Sequence, residues 1–222
     1  MSKLPFLPKA VVFDMDGLLL DSELLYQRSF YLAAEDHGFR LPQDNYQRLC
    51  GSTWQVIGSM LRDEHGADFP VDEFGENWRK HLEILMAEGI PLKTGVLEIL
   101  ELLDELAIPR AIATSSYRIS VDRHLGPHNI LPRFHHILSR ESYSEPKPAP
   151  TPYLTAAQML GIDPRHCLAL EDSHQGVRSA SRAGMVTVMI PDVALPTDEM
   201  HNSCAMIAES LHSVRNAILQ AQ

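Results

Sequence analysis

Short apolar, β-branched-rich runs recur along the chain at Ala10–Phe13, Arg110–Thr114, His136–Ser139, Cys167–Glu171 and Val186–Ile190. Each has the length and composition of a buried strand. Between them the apolar positions switch to helical spacing, at Val96–Leu106, Ile119–Leu125, Pro152–Leu160, Gln175–Ala183 and Ala205–Leu219. Strands that alternate with helices predict an α/β fold: a Rossmann-like parallel sheet with helices on both faces.

The first crossover breaks that rhythm. Residues 18–93 hold helical stretches punctuated by Gly38, Pro42, Gly51, Gly66, Pro70 and Gly89, and no convincing strand. The span is too long for a simple crossover. The pattern therefore predicts an all-helical cap domain at 18–93 inserted into a core made of 1–17 and 94–222, with linkers near Leu18–Glu23 and Ile90–Thr94.

Composition adds little to this and removes several alternatives. The chain has 222 residues, 45% hydrophobic and 22% charged, as expected of an ordinary globular protein. Its formal net charge of -10 repels a phosphate backbone, which argues against nucleic acid as a partner. Three cysteines, Cys50, Cys167 and Cys204, without C-x-x-C spacing fit neither a disulfide framework nor a zinc site. The N-terminus is broken by Pro5 and Pro8, and no apolar run approaches the roughly 20 residues that span a bilayer. A cytoplasmic, monomeric protein with a small-molecule partner is the expectation.

In an open parallel sheet, ligands bind at the carboxyl ends of the strands. Those ends carry Asp14 and Asp16, then Thr114, Ser115 and Ser116, then Glu171 and Asp172, with Lys147 on a proline-rich loop between. Carboxylates, hydroxyls and one lysine together suit phosphoryl transfer. Asp14 and Asp16 are spaced so that a continuing strand would put both on one face, one to attack phosphorus and the other to move a proton. Two close carboxylates repel, so a shared proton or a cation is required, and Asp172 would complete an oxygen-rich Mg²⁺ site. Gly17 lets the chain turn away without a side chain in the site.

Each element alone has a structural explanation. D-x-D-G is common in turns, Thr114 or Glu171–Asp172 could cap helices, and Lys147 could be solvated. An EF-hand loop starting at Asp14 fails, because Leu19 and Leu25 stand where glycine and glutamate are needed. His124, His128, His135 and His136 match no ligand template, Cys167 reads as a buried hydrophobe, and no G-x-S-x-G is present. What favours chemistry is the joint order of the four segments at successive strand ends.

Those segments, Ala10–Ser22, Ile112–Ser116, Lys147–Tyr153 and Leu168–Met185, resemble the four signature motifs of the haloacid dehalogenase superfamily of phosphatases and phosphomutases. The string Leu170-Glu171-Asp172-Ser173 through Gly176-Val177 to Gly184-Met185 is especially similar. The resemblance implies that Asp14 forms an aspartyl-phosphate and Asp16 is the general acid/base. It further implies that Thr114 and Lys147 hold the phosphoryl group. Mg²⁺ would be bound by Asp14, the Asp16 carbonyl and Asp172, with Glu171 behind them or in contact. Gly17, Ser115 and Ser116 join the phosphate site. The dehalogenases lack an aspartate at the Asp16 position, which points here to phosphate esters.

The β-phosphoglucomutases are the near rival within the superfamily, and a phospho-acceptor module without turnover is the rival outside enzymes. By ungapped counting, the mutase cap histidine falls on Tyr26 and the cap arginine, placed from Gly51, near Trp54; both replacements favour hydrolysis. The strings Met15–Asp21, Ala113–Ser116 and Val188–Asp192 also look similar to the pseudouridine 5′-phosphatase-like subfamily. Tyr26, Trp54 and Trp78 are aromatic enough to stack on a sugar or base, although such rings more often serve core packing. The expected substrate is a small phosphorylated metabolite, a sugar phosphate or a nucleotide-like ester.

Overall fold

The structure, a computed structural model, describes residues 4–39, 46 and 54–221. Pro42, Cys50 and Gly51, including the anchor from which Trp54 was counted, lie outside the described residues. The chain divides into two compact units, 1–21 with 91–222 and 22–90.

The first unit holds six parallel strands: β1 Ala10–Phe13, β2 Arg110–Ala113, β3 His136–Leu138, β4 Cys167–Glu171, β5 Val186–Met189 and β6 Met206–Ile207. Their order in the sheet is β3-β2-β1-β4-β5-β6, so the direction of winding reverses between β1 and β4. That reversal opens a crevice at the carboxyl ends of β1 and β4.

Alternation explains the packing. Ala10, Val12, Ala111, Ala113, Cys167 and Ala169 form one buried cluster with Tyr153, Ala156 and Ala157 of a helix at Thr151–Leu160 and Ala180 of a helix at His174–Arg182. Small side chains on that face let the helices approach closely. The residues between them, Val11, Phe13, Ile112, Leu168 and Leu170, are equally buried, so both faces of the sheet are covered.

The edge departs from expectation. The helix expected over Ala205–Leu219 is instead β6 followed by a helix at Leu211–Leu219, with a further short helix at Asp198–Ser203 before it. Two residues are too few to show a period of two, and Met206 joins the sheet by pairing with Val188.

The second unit is helical: α1 Ser22–Asp36, α2 Trp54–His65 and α3 Val71–Glu88. Phe30, Ala33, Ala34, Ile57, Leu61 and Phe74 form its core, with Trp54 and Trp78 packed against it. Its limits fall inside the expected 18–93, because the linkers bind each other as part of the sheet unit. Asp21 N donates to Pro91 O (2.8 Å), Lys93 N donates to Leu19 O (3.0 Å), and Leu20 bridges Leu92. Among the described residues no helix is long and apolar enough to cross a membrane.

Candidate active site

Asp14 lies one residue beyond β1, where its N–H still donates to Leu170 O (3.0 Å). That bond fixes the carboxylate beside the end of β4. The chain then turns on Met15 O, which accepts from Leu18, Leu19 and Leu20 N–H groups (3.4, 2.8 and 3.1 Å). Gly17 sits at φ +81°, and a Cβ there would run into the Asp172 carboxylate and meet Asp192 Oδ2 at 3.1 Å. Only glycine tolerates both the left-handed conformation and that crowding.

Lys147 is the hub. Its ammonium, 6% exposed, donates to Asp14 Oδ1 and to Glu171 Oε1 (2.6 Å), and stands 5.2 Å from the centre of the Tyr153 ring. Glu171 is fully buried and fully engaged. Tyr153 OH donates to its Oε1 (2.5 Å), and the N–H and hydroxyl of Ser173 reach its Oε2 (3.4 and 3.1 Å). Ser173 in turn caps the His174–Arg182 helix by accepting from Gly176 N (3.1 Å). A Cβ at Gly176 would overlap the Glu171 carboxylate, which is why the acidic pair is followed by serine and glycine at this spacing.

Oxygens of Asp14, Glu171 and Asp172 all lie within 4.8 Å of one another. Three carboxylates therefore face one lysine. Burial pushes Asp14 up to about 7 although Lys147 pulls it down, and burial, then the charges of Asp14 and Glu171, push Asp172 up to about 9. Burial alone would lower Lys147, but the two carboxylates it touches outweigh that and raise it. An all-oxygen set with surplus negative charge fits a hard divalent cation. Because donors already occupy both Glu171 oxygens, Asp14 and Asp172 are the carboxylates best able to hold it.

Asp16 stands apart from that cluster. Its Oδ2 accepts from Ser116 Oγ (2.7 Å), so the strand-end loop after β2 holds it. The carbonyl contact implied by the resemblance involves the backbone and is independent of this arrangement. Thr114 is buried; its Oγ1 accepts from Ser116 N (3.0 Å) and its carbonyl accepts from Tyr143 OH (2.8 Å). Ser115 is exposed.

Tyr26 and Trp54 belong to the helical unit. There they line a cavity of about 270 Å³ with Gly75, Trp78, Arg79 and Leu82. Trp78 Nε1 donates to Ser29 Oγ (2.9 Å) and Tyr26 O (3.2 Å), which ties this wall together. His135 and Cys167 have structural roles. His135 Nδ1 accepts from Arg110 N (3.3 Å), and burial pushes the Cys167 thiol up to about 11, away from nucleophilic use.

Four residues were not singled out as site residues from sequence: Tyr153, Tyr143, Lys93 and Asp192. Tyr153 falls on an apolar helix face and reads as core. Asp192 carries a weak signal, since it lies three residues past the carboxyl end of β5. Lys93 gives no local signal, because its partners Asp192 and Asp21 are brought to it by the fold (2.5 and 3.3 Å).

The family model for haloacid dehalogenase-like hydrolases matches residues 11–190, from β1 to the end of β5. The chain belongs to that family. It is 32% identical over 203 residues to a Drosophila melanogaster protein named probable pseudouridine-5′-phosphatase, across 89% of this chain and 87% of that one. A variant of Rhodobacter sphaeroides CbbY, solved in complex with xylulose-(1,5)bisphosphate, superposes with a TM-score of 0.59 at 26% identity over 92% of this chain and 95% of that one. A haloacid dehalogenase family hydrolase from Deinococcus radiodurans shares the fold, with a TM-score of 0.76 at 24% identity over 97% and 96% of the two chains.

Proposed function

We propose that this haloacid dehalogenase-like hydrolase is a Mg²⁺-dependent phosphatase that cleaves a small sugar phosphate or nucleotide-like monoester through an aspartyl-phosphate on Asp14. The observation that carries the reading is Lys147 held between Asp14 and Glu171, at the crevice where the sheet reverses its winding, with Asp172 beside them. The names of the relatives supply the substrate class: one is called a pseudouridine-5′-phosphatase and another was solved with a sugar bisphosphate.

The chemistry follows from the groups present. An Asp14 oxygen attacks phosphorus, the ester P–O bond breaks, and Asp16 gives its proton to the departing alkoxide. Asp16, now ionised, takes a proton from water; the hydroxide attacks the aspartyl-phosphate, which releases inorganic phosphate and regenerates Asp14. Ser116 positions Asp16 for both steps. Lys147, Thr114 and the amides near Gly17, Ser115 and Ser116 offset the charge of the transferring phosphoryl group. When bound by Asp14, the Asp16 carbonyl and Asp172, Mg²⁺ neutralises charge between carboxylate and phosphate. Substrate selection is assigned to the helical unit, with Tyr26 and Trp54 as the contacting side chains.

A phosphate-release screen over sugar phosphates, nucleotides and pseudouridine monophosphate, with Mg²⁺ and with chelator, tests the reading. Asp14→Asn is expected to lose at least about 1000-fold in turnover, as removal of a nucleophile does. Equal turnover by that variant would refute Asp14 as nucleophile.

A further inference from the structure

The loop after β5 brings a fourth carboxylate to the edge of the cluster, on residues the proposed reaction does not use. Asp192 is split between two tasks. Its Oδ1 accepts from Lys93 Nζ at 2.5 Å, while its Oδ2 is turned toward Gly17, 3.1 Å from where a Cβ would stand. The Asp172 carboxylate crowds that same point more closely. Asp192 and Asp172 thus both bring an oxygen to one small space beside Gly17, and Asp192 adds to the repulsion felt by Asp172.

Two carboxylate oxygens turned toward one space are stable when something positive or proton-donating lies between them. The Asp192 side chain is also not free to swing away. Lys93 holds it, is itself half-buried, and is anchored by Asp21 at 3.3 Å; burial works to lower the lysine, but the hydrogen bond and charge of Asp192, then those of Asp21, raise it. The lysine lies two residues past the return of the chain from the helical unit, and its N–H is tied to Leu19 O at 3.0 Å. An ammonium fixed by its own backbone and by two carboxylates sets the rotamer of Asp192.

We propose that Asp192 is an outer carboxylate of the divalent-cation site, accepting a hydrogen bond from water bound to the cation beside Asp172, and that Lys93 is the positioning residue that aims it. The inference rests on the proposed Mg²⁺ site and deepens it. Hydrogen-bond acceptors around a metal site orient its inner ligands, and their loss commonly weakens metal binding by about 10- to 100-fold.

The test is Mg²⁺ titration of the full chain by calorimetry, without substrate, on the parent protein, Asp192→Asn, Lys93→Met, Lys93→Arg and the double variant Asp192→Asn/Lys93→Met. Asp192→Asn is expected to raise the Mg²⁺ dissociation constant by about tenfold. Lys93→Met should weaken binding to a similar extent, Lys93→Arg should restore most of it, and the double variant should be no weaker than Asp192→Asn. If Lys93 acted only as a repelling positive charge, Lys93→Met would tighten Mg²⁺ binding, which overturns the positioning role. Unchanged affinity in a folded Asp192→Asn, judged by its circular dichroism and thermal unfolding, overturns the outer-carboxylate role while the parent site stands. No Mg²⁺ binding by the parent chain overturns the site itself and this inference with it.

Discussion

The two units of this molecule are built from opposite materials. The sheet unit places small and β-branched residues in its strands and its polar residues at their carboxyl ends, where Lys147 joins Asp14 to Glu171 and Ser116 holds Asp16. The helical unit has an aromatic interior. Phe30 packs edge-on against Phe74 (5.0 Å between ring centres) and Trp78 (5.1 Å), and Trp78 lies 5.8 Å from Trp54. The same aromatic wall, with Trp54 and Trp78, borders the cavity of about 270 Å³. A parallel sheet can hold charges in register because its backbone fixes where each strand ends; a bundle of short helices offers area and shape instead.

Lys147→Met attacks the polar half most directly. It leaves Asp14 and Glu171 buried without their cation, so phosphate release should be abolished and stability should fall by about 3–5 kcal/mol at neutral pH, the usual cost of breaking a buried pair. Denaturant unfolding alongside the phosphate assay checks both, and retained stability would show that the lysine is not the hub. Phe74→Ala is the matching change in the aromatic half, expected to cost about 3 kcal/mol or more as a core cavity. Hydrogen exchange should locate the loss of protection in Val71–Glu88 and Ser22–Asp36, with the strands unchanged; uniform loss would mean that the two units unfold as one.

The pH response should also belong to the sheet unit. Asp14 and Asp172 are raised to about 7 and about 9 from 3.8, so each holds its proton more tightly folded than unfolded. Their contribution to stability is greatest below the unfolded value and is lost as pH climbs from about 4 through 7 to 9. Metal-free protein should therefore unfold at progressively lower urea across that window, and Mg²⁺ should flatten the decline. A profile that rises with pH in chelator would contradict the crowding of these carboxylates. The smallest effect is expected for Tyr153→Phe, which removes one donor from Glu171 while Lys147 and Ser173 remain; about 1 kcal/mol is the scale of such a bond, readable by thermal unfolding.

Much of this is legible in the sequence alone. Five strands and the helices between them follow from apolar periodicity, and the strand-end rule finds Asp14, Thr114 and Glu171–Asp172 without knowledge of the sheet order. Legibility failed where an element was short or a partner distant. Met206–Ile207 is a strand because Val188 and Met189 lie alongside it, not because of anything in its two residues. Tyr153 reads as one more apolar helix position until its hydroxyl is seen on Glu171. The linkers expected near Leu18–Glu23 and Ile90–Thr94 are placed by sequence, but the backbone hydrogen bonds that tie them together leave no mark in composition.

By itself the sequence determined the alternation of strand and helix, the helical insertion, and the kinds of group at the strand ends, because periodicity and chain order are local properties. The tertiary structure decided the division of labour among those groups. Glu171 is consumed by Lys147, Tyr153 and Ser173, Asp14 and Asp172 are left facing each other, Asp16 is handed to Ser116, and Asp192 is aimed by Lys93. Each pairing depends on strand order, register and burial, and those arise only when residues far apart in the chain are packed together.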